Sequence, residues 1–248
     1  MSDIKELLDN LAQKYETTDF INDDPIQFPH KYQCKEDIEI AGFLASLFAY
    51  GRREIFIEKL NKLFSLIGKS PYEYVLEGNF DLKGLNYRFF KTEDIEGFLY
   101  VLHTLYKNEG GLSCLFKKAY KSGNLMQYVC DYFYSHAPER AGAGFYFGIP
   151  NPAKGGAMKR MWMFLRWMVR KSPVDLGIWN FIPMSELKIP LDTHVARISR
   201  ELGLIKRNAN DIKTVNELSA VLAEFSPDDP VKYDFALFGY GVNDRSFL

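Results

Sequence analysis

The chain is poor in the residues that build metal centres and disulfides. Its 248 residues include three cysteines and four histidines. Cys34, Cys114 and Cys130 stand far apart, form no CxxC pair and fit a reduced, cytoplasmic setting. His30, His103, His136 and His194 make no HExxH or HxxxH pattern, so no protein-bound metal is expected. No run of about 18 apolar residues occurs, which argues against a membrane-spanning helix. The opening stretch, MSDIKELLDNLAQKY, mixes acids with apolar residues. It lacks the basic-then-apolar order of a secretory signal. A formal net charge of −1 gives no global attraction to nucleic acid, although a local basic patch stays open. No sustained alternation of period two points to a sheet.

What is present is helix. Hydrophobic residues make up 47% of the chain and aromatic residues 15%, enough for one large core or two small ones. Ile4, Leu7, Leu8 and Leu11 repeat at helical spacing. KEDIEIAGFLASLFAYG reads as a buried helix stopped at Gly51, and REIFIEKLNKLFSLIG as another stopped at Gly68. Ser70 and Pro71 form a cap and first-turn pair. TEDIEGFLYVLHTLYKNEGG and LMQYVCDYFYSHA read as two more amphipathic helices. Thr214 with Glu217 has the spacing of a capping box. Asp229 and Pro230 read as the cap and first turn of the last helix. The stretch 138–156, rich in glycine and proline, reads as a long loop. The expectation is therefore an all-α protein.

Three features could carry chemistry. From Arg140 to Val174 there are seven lysines or arginines and no acid. Beside a glycine-rich loop and a helix start, that suits a polyanion, because backbone N–H groups and the helix end bind phosphate. A solvated basic face balanced by acids elsewhere in space is the plainer explanation. Next, Lys159, Met163, Arg166 and Arg170 share one face of the helix after the loop. Met161, Leu165, Met168 and Val169 occupy the opposite face, so most of that helix is apolar and expected to be buried. A desolvated lysine among arginines has a disfavoured ammonium and can serve as a nucleophile. It can equally snorkel, with its head in water. Third, Asp192 in KIPLDTHVARISRELGL is well placed as a helix N-cap. A carboxylate held at a helix start is also kept ionised, and suits stabilising a cation or accepting a proton.

GFYFGIPNPAKGGAMKRMWMF followed by IPLDTHVARISRELGL resembles the helix-hairpin-helix DNA glycosylase superfamily, over about residues 145–204. The resemblance implies Lys159 as nucleophile and Asp192 as its partner. It implies Lys154, Gly155 and Arg160 as DNA-backbone contacts. The 33 residues between Lys159 and Asp192 are roughly twice the usual gap and resemble the archaeal 8-oxoguanine glycosylase branch. That branch implies Met163 stacking on an extruded base, with Asp234 reading its edge and Phe238 stacking on it. The whole chain also resembles an uncharacterised bacterial family of about this length.

The implied fold is two helical lobes with a central cleft. One lobe would comprise residues 36–185, and the other 1–35 with 186–248, with Lys159 and Asp192 facing across the cleft. The implied activity is excision of 8-oxoguanine with AP-lyase cleavage. The implied partner is double-stranded DNA carrying a damaged base, bound by a monomer away from any membrane. No cofactor is expected, and no iron–sulfur cluster, since no cysteine follows Cys130. Two other readings remain: a non-catalytic DNA- or RNA-binding module, and a helical protein-interaction scaffold. A secondary candidate site is Tyr50, Arg52 and Arg53, which otherwise read as a helix stop followed by solvated charge.

Overall fold

A computed structural model describes residues 2–243. Among the described residues the regular structure is helical and no strand forms. The α-helices are α1 (Ser2–Tyr15), α2 (Phe20–Asp23), α3 (Lys35–Phe48), α4 (Arg53–Ile67), α5 (Pro71–Glu77), α6 (Thr92–Glu109), α7 (Leu112–Lys121), α8 (Leu125–Ser135), α9 (Ala143–Gly148), α10 (Lys159–Val169), α11 (Thr193–Glu201), α12 (Ile212–Phe225) and α13 (Tyr233–Asn243). No helix among the described residues is long and apolar enough to cross a membrane.

The chain divides into two compact units, residues 25–154 and residues 1–24 with 155–248. This differs from the expected boundaries at 36 and 186. The helix of Lys159 groups with the two terminal segments, not with the middle of the chain. Its Phe164 ring meets Trp179 edge-on at 5.4 Å, and the Trp179 backbone N–H bonds the Met168 carbonyl at 2.7 Å.

In the unit of residues 25–154, α3 is the central element. It is buried from Asp37 to Phe48, including two carboxylates. Each carboxylate binds a neighbouring helix start: Asp37 accepts from the Ser70 hydroxyl and the Tyr72 N–H, both at 2.8 Å. Glu39 accepts the Ser113 N–H at the start of α7 at 3.4 Å, and also the Tyr106 hydroxyl near the end of α6 at 2.8 Å. Buried carboxylates persist only when so bonded. Ser70 caps α5 as expected, its hydroxyl accepting the Glu73 N–H at 3.1 Å. The stretch expected to be a loop contains α9 and a 3₁₀ turn, Pro152–Lys154. Asp94 explains α9: it accepts the Gly142 and Phe145 N–H groups at 2.8 and 3.0 Å, and the Lys91 N–H at 2.9 Å. One buried acid thus holds the starts of two helices.

In the unit built from the termini, α13 packs against both α1 and α11. On α1, Leu8 and Leu11 are buried as expected, but Leu7 is exposed. Helix α10 is buried at every position from Met161 to Val169. Two helix starts differ from expectation. Helix α12 begins at Ile212 and is capped by Asp211, which accepts the Thr214 N–H at 2.9 Å. Glu217 instead accepts the Lys206 N–H at 2.9 Å. Before α13 lies a 3₁₀ turn, Pro230–Lys232, and Asp229 makes no capping bond. Its carboxylate is taken by Arg170.

Candidate functional site: a lysine–carboxylate pair

Lys159 is the first residue of α10, and its position is set by the chain entering that helix. Gly155 adopts φ +76°, a left-handed conformation favoured by the absence of a Cβ. Its carbonyl accepts the Ile212 N–H at 3.0 Å, which ties the segment before α10 to the start of α12. Met158, buried, is also left-handed at φ +53°, a rare conformation for a residue with a side chain. Strained backbone of this kind tends to cluster at functional sites. It lies directly before Lys159.

Asp192 approaches from the start of α11. One of its carboxylate oxygens accepts the Val195 N–H at 2.8 Å, a side-chain N-cap. Its other oxygen lies 3.5 Å from Lys159 Nζ. The lysine side chain is 34% exposed and the aspartate 14%, so the pair sits at a partly desolvated surface. Both residues belong to the same unit, so the pair does not bridge the division of the chain.

Met163, one turn after Lys159, is buried. Asp234 is 8% exposed, and one of its oxygens is held by the Arg166 guanidinium. Among the described residues no other hydrogen bond reaches its carboxylate. Burial pushes the Asp234 carboxyl up to about 6, against the opposing pull of Arg166. Asp192 and Asp175 also push it up and Lys159 pulls it down, so Asp234 is in electrostatic reach of the pair. Phe238 is half-buried, with its ring edge-on to His194 at 6.2 Å and to Phe20 at 6.3 Å.

The basic stretch is only in part available to a polyanion. Arg166 and Arg170 are buried and ion-paired with Glu16, Asp175, Asp229 and Asp234. Arg140 lies 3.3 Å from Glu96. For these three the balancing acids do lie elsewhere in the chain, but only Arg140 is exposed; Arg166 and Arg170 are buried and form no solvated face. Gly155 and Arg160 share the unit of the lysine pair, whereas the exposed Lys154 ends the other unit.

Tyr50, Arg52 and Arg53 lie in the unit of residues 25–154, apart from the lysine pair in the chain's division. Tyr50 donates to the Tyr87 carbonyl at 3.0 Å and packs against Phe90 and Phe147, with ring centroids at 5.4 and 5.0 Å. Arg52 is exposed and precedes α4 without a capping bond. Phe89, 58% exposed, is the residue here that sequence reasoning passed over. The only available signal was NYRFFK itself, an aromatic pair in a short turn. Among the described residues no group of three or more His, Cys, Asp or Glu side chains could hold a metal ion.

The fold and site thus define an all-helical protein with a lysine held against a capping aspartate. Residues 24–243 match the family described as "Protein of unknown function (DUF2400)", and the chain belongs to that family. No curated protein and no solved structure matches the chain.

Proposed function

We propose that the protein is a base-excision DNA glycosylase with AP-lyase activity, arranged like the helix-hairpin-helix glycosylases and acting on 8-oxoguanine in duplex DNA. The observation that carries this reading is the 3.5 Å approach of Lys159 Nζ to an Asp192 that is anchored as a helix cap. A nucleophilic amine needs a nearby base, and the base needs an orienting group. Here the base is a carboxylate and the orienting group is the Val195 N–H.

The target base must first leave the duplex stack, at a cost of a few kcal/mol. Gly155 and Arg160 would meet phosphates near the extruded nucleotide, while Met163 and Phe238 would pack on the base and Asp234 would bond its edge. Lys159 passes a proton to Asp192, and its free amine attacks the sugar C1′. The C1′–N bond breaks with both electrons leaving on the base, which is protonated by solvent. Asp192, now protonated, returns that proton to O4′ as the sugar ring opens, while the attached nitrogen loses one proton to solvent. Ring opening gives a protonated Schiff base. Loss of a C2′ proton then expels the 3′ phosphate by β-elimination.

Borohydride reduces a Schiff base to a stable amine, so wild-type protein mixed with an 8-oxoguanine duplex should give a covalent adduct. Lys159→Gln should give none. An adduct that survives Lys159→Gln would remove the lysine from its role. Salt-dependent duplex binding with no adduct on any damaged base would favour the non-catalytic binding module.

A further inference from the structure

A chain of alternating charges runs through the interior of the unit that holds Lys159. Asp234 binds Arg166. Arg166 Nε donates to Asp175 at 3.1 Å, and the other Asp175 oxygen accepts from Arg170 at 3.0 Å. Arg170 also binds Glu16, and holds Asp229 with two bonds of 2.9 Å from Nε. The Phe235 ring lies under both guanidinium groups, at 4.5 and 5.6 Å. Arg166, Arg170 and Asp175 are each less than 5% exposed. Replacing such a network with apolar residues is often neutral or stabilising, so stability alone is a weak reason for it. What it does achieve is to hold Asp234 on α13, the helix that packs against the α11 that Asp192 caps, with one oxygen committed to Arg166 and, among the described residues, no hydrogen bond on the other.

We infer that Arg166 is a positioning residue: it fixes one oxygen of Asp234 and leaves the other as a hydrogen-bond acceptor at the Lys159–Asp192 site, with Asp175 behind it tuning the hold. The inference rests on the glycosylase reading for what the acceptor meets, which is an N–H donor on the edge of an extruded purine. An acceptor of this kind works only when ionised, because a protonated carboxyl presents a donor in its place. Arg166 and Asp175 therefore act in opposite senses. The guanidinium favours the Asp234 anion. The Asp175 carboxylate opposes it, directly and by sharing the guanidinium. The other charged groups near this point are Lys159 and Asp192 on the site side, and Asp24 and Arg170 acting on Arg166. His194 of α11 faces Phe238, one turn along α13 from Asp234.

The test is a ¹³Cγ NMR titration of Asp234 in the full-length protein, which needs no activity. Its midpoint should lie near 6 in the wild type. Arg166→Gln should raise the midpoint by about one unit or more, and Asp175→Asn should lower it. If Arg166→Gln does not fold, Arg166→Lys keeps the charge but loses the fork, and should give a smaller upward shift. The acid limb of the borohydride-trapping yield should move with these midpoints, in opposite directions for the two substitutions. A role limited to folding would lower both yields without moving either limb. Midpoints that stay put, or that move the same way in both variants, overturn the inference. Midpoints that move as expected with no adduct at any pH would sustain the positioning of Asp234 and overturn the glycosylase reading. An adduct whose acid limb ignores the moving midpoint would overturn the link between Asp234 and the reaction.

Discussion

Asp192 gives one oxygen to the backbone of α11 and the other to Lys159. The two uses can be separated by substitution. Asparagine caps a helix about as well as aspartate, but it carries no charge and takes no proton. Asp192→Asn should therefore keep folding stability within about 0.5 kcal/mol of wild type, with duplex binding retained. On the proposed glycosylase reading, turnover should fall by about a hundredfold or more. Asp192→Ala should lose the same turnover and, in addition, about 1 kcal/mol of stability. Thermal melts and single-turnover kinetics on the same preparations check both, and an active Asp192→Asn would leave the residue a cap and nothing more. The cap was legible in the sequence because it is local: Asp, then a helical run, is a short-range pattern. Asp234 was only half legible. Its spacing to Phe238 placed both on one helix face. Its burial against Arg166, 68 residues earlier, was not, because periodicity shows which face a side chain occupies and never what lies opposite.

At the scale of helices, the sequence reads faces well and ends less well. The apolar circumference of α10 predicted its burial, and that burial is complete from Met161 onward. The start of α12 was misplaced because Thr214 and Glu217 have capping-box spacing, yet Asp211 captures the Thr214 N–H first. Helix α1 shows how a polar contact can join two elements that hydrophobic pattern alone brings together. Asp9 accepts from Lys5 at 2.6 Å, from Lys232 at 2.8 Å and from the Tyr233 hydroxyl at 2.9 Å. Burial would raise its carboxyl, but the bonds from Lys232, Lys5 and Tyr233 outweigh that and hold it at about 2, below the ordinary 3.8. A group depressed on folding stabilises the fold above its unfolded value and loses that contribution as pH falls through the folded one. Wild type should thus be more stable than Asp9→Asn above about pH 4, with the gap closing between pH 4 and pH 2. Denaturant melts of the two proteins over that range check it. A gap that widened toward acid would reverse the assignment.

At the scale of the molecule, the unit that carries Lys159 closes only when the first helix meets the last. The family match begins at residue 24, whereas α1 lies wholly before it and packs on α13. The contact is close at one point. A Cβ at Gly239 would enter the van der Waals envelope of the Tyr15 ring. Glycine inside a helix costs up to about 1 kcal/mol relative to alanine, so a bare position there has a use: it lets the aromatic ring lie against the α13 backbone. On propensity alone Gly239→Ala should stabilise α13. On the observed packing it should destabilise the protein by about 2 kcal/mol, since the ring must move or the helices separate. The same chain contact places Glu16, the residue just after α1, on Arg170 and so on the buried charges that reach Asp234. Combining Gly239→Ala with Tyr15→Leu, which removes the ring but keeps an apolar side chain, should recover most of the lost stability. A double-mutant cycle measures that coupling directly. Additive effects, with no recovery in the double variant, would mean that Gly239 is glycine for a reason other than the approach of α1.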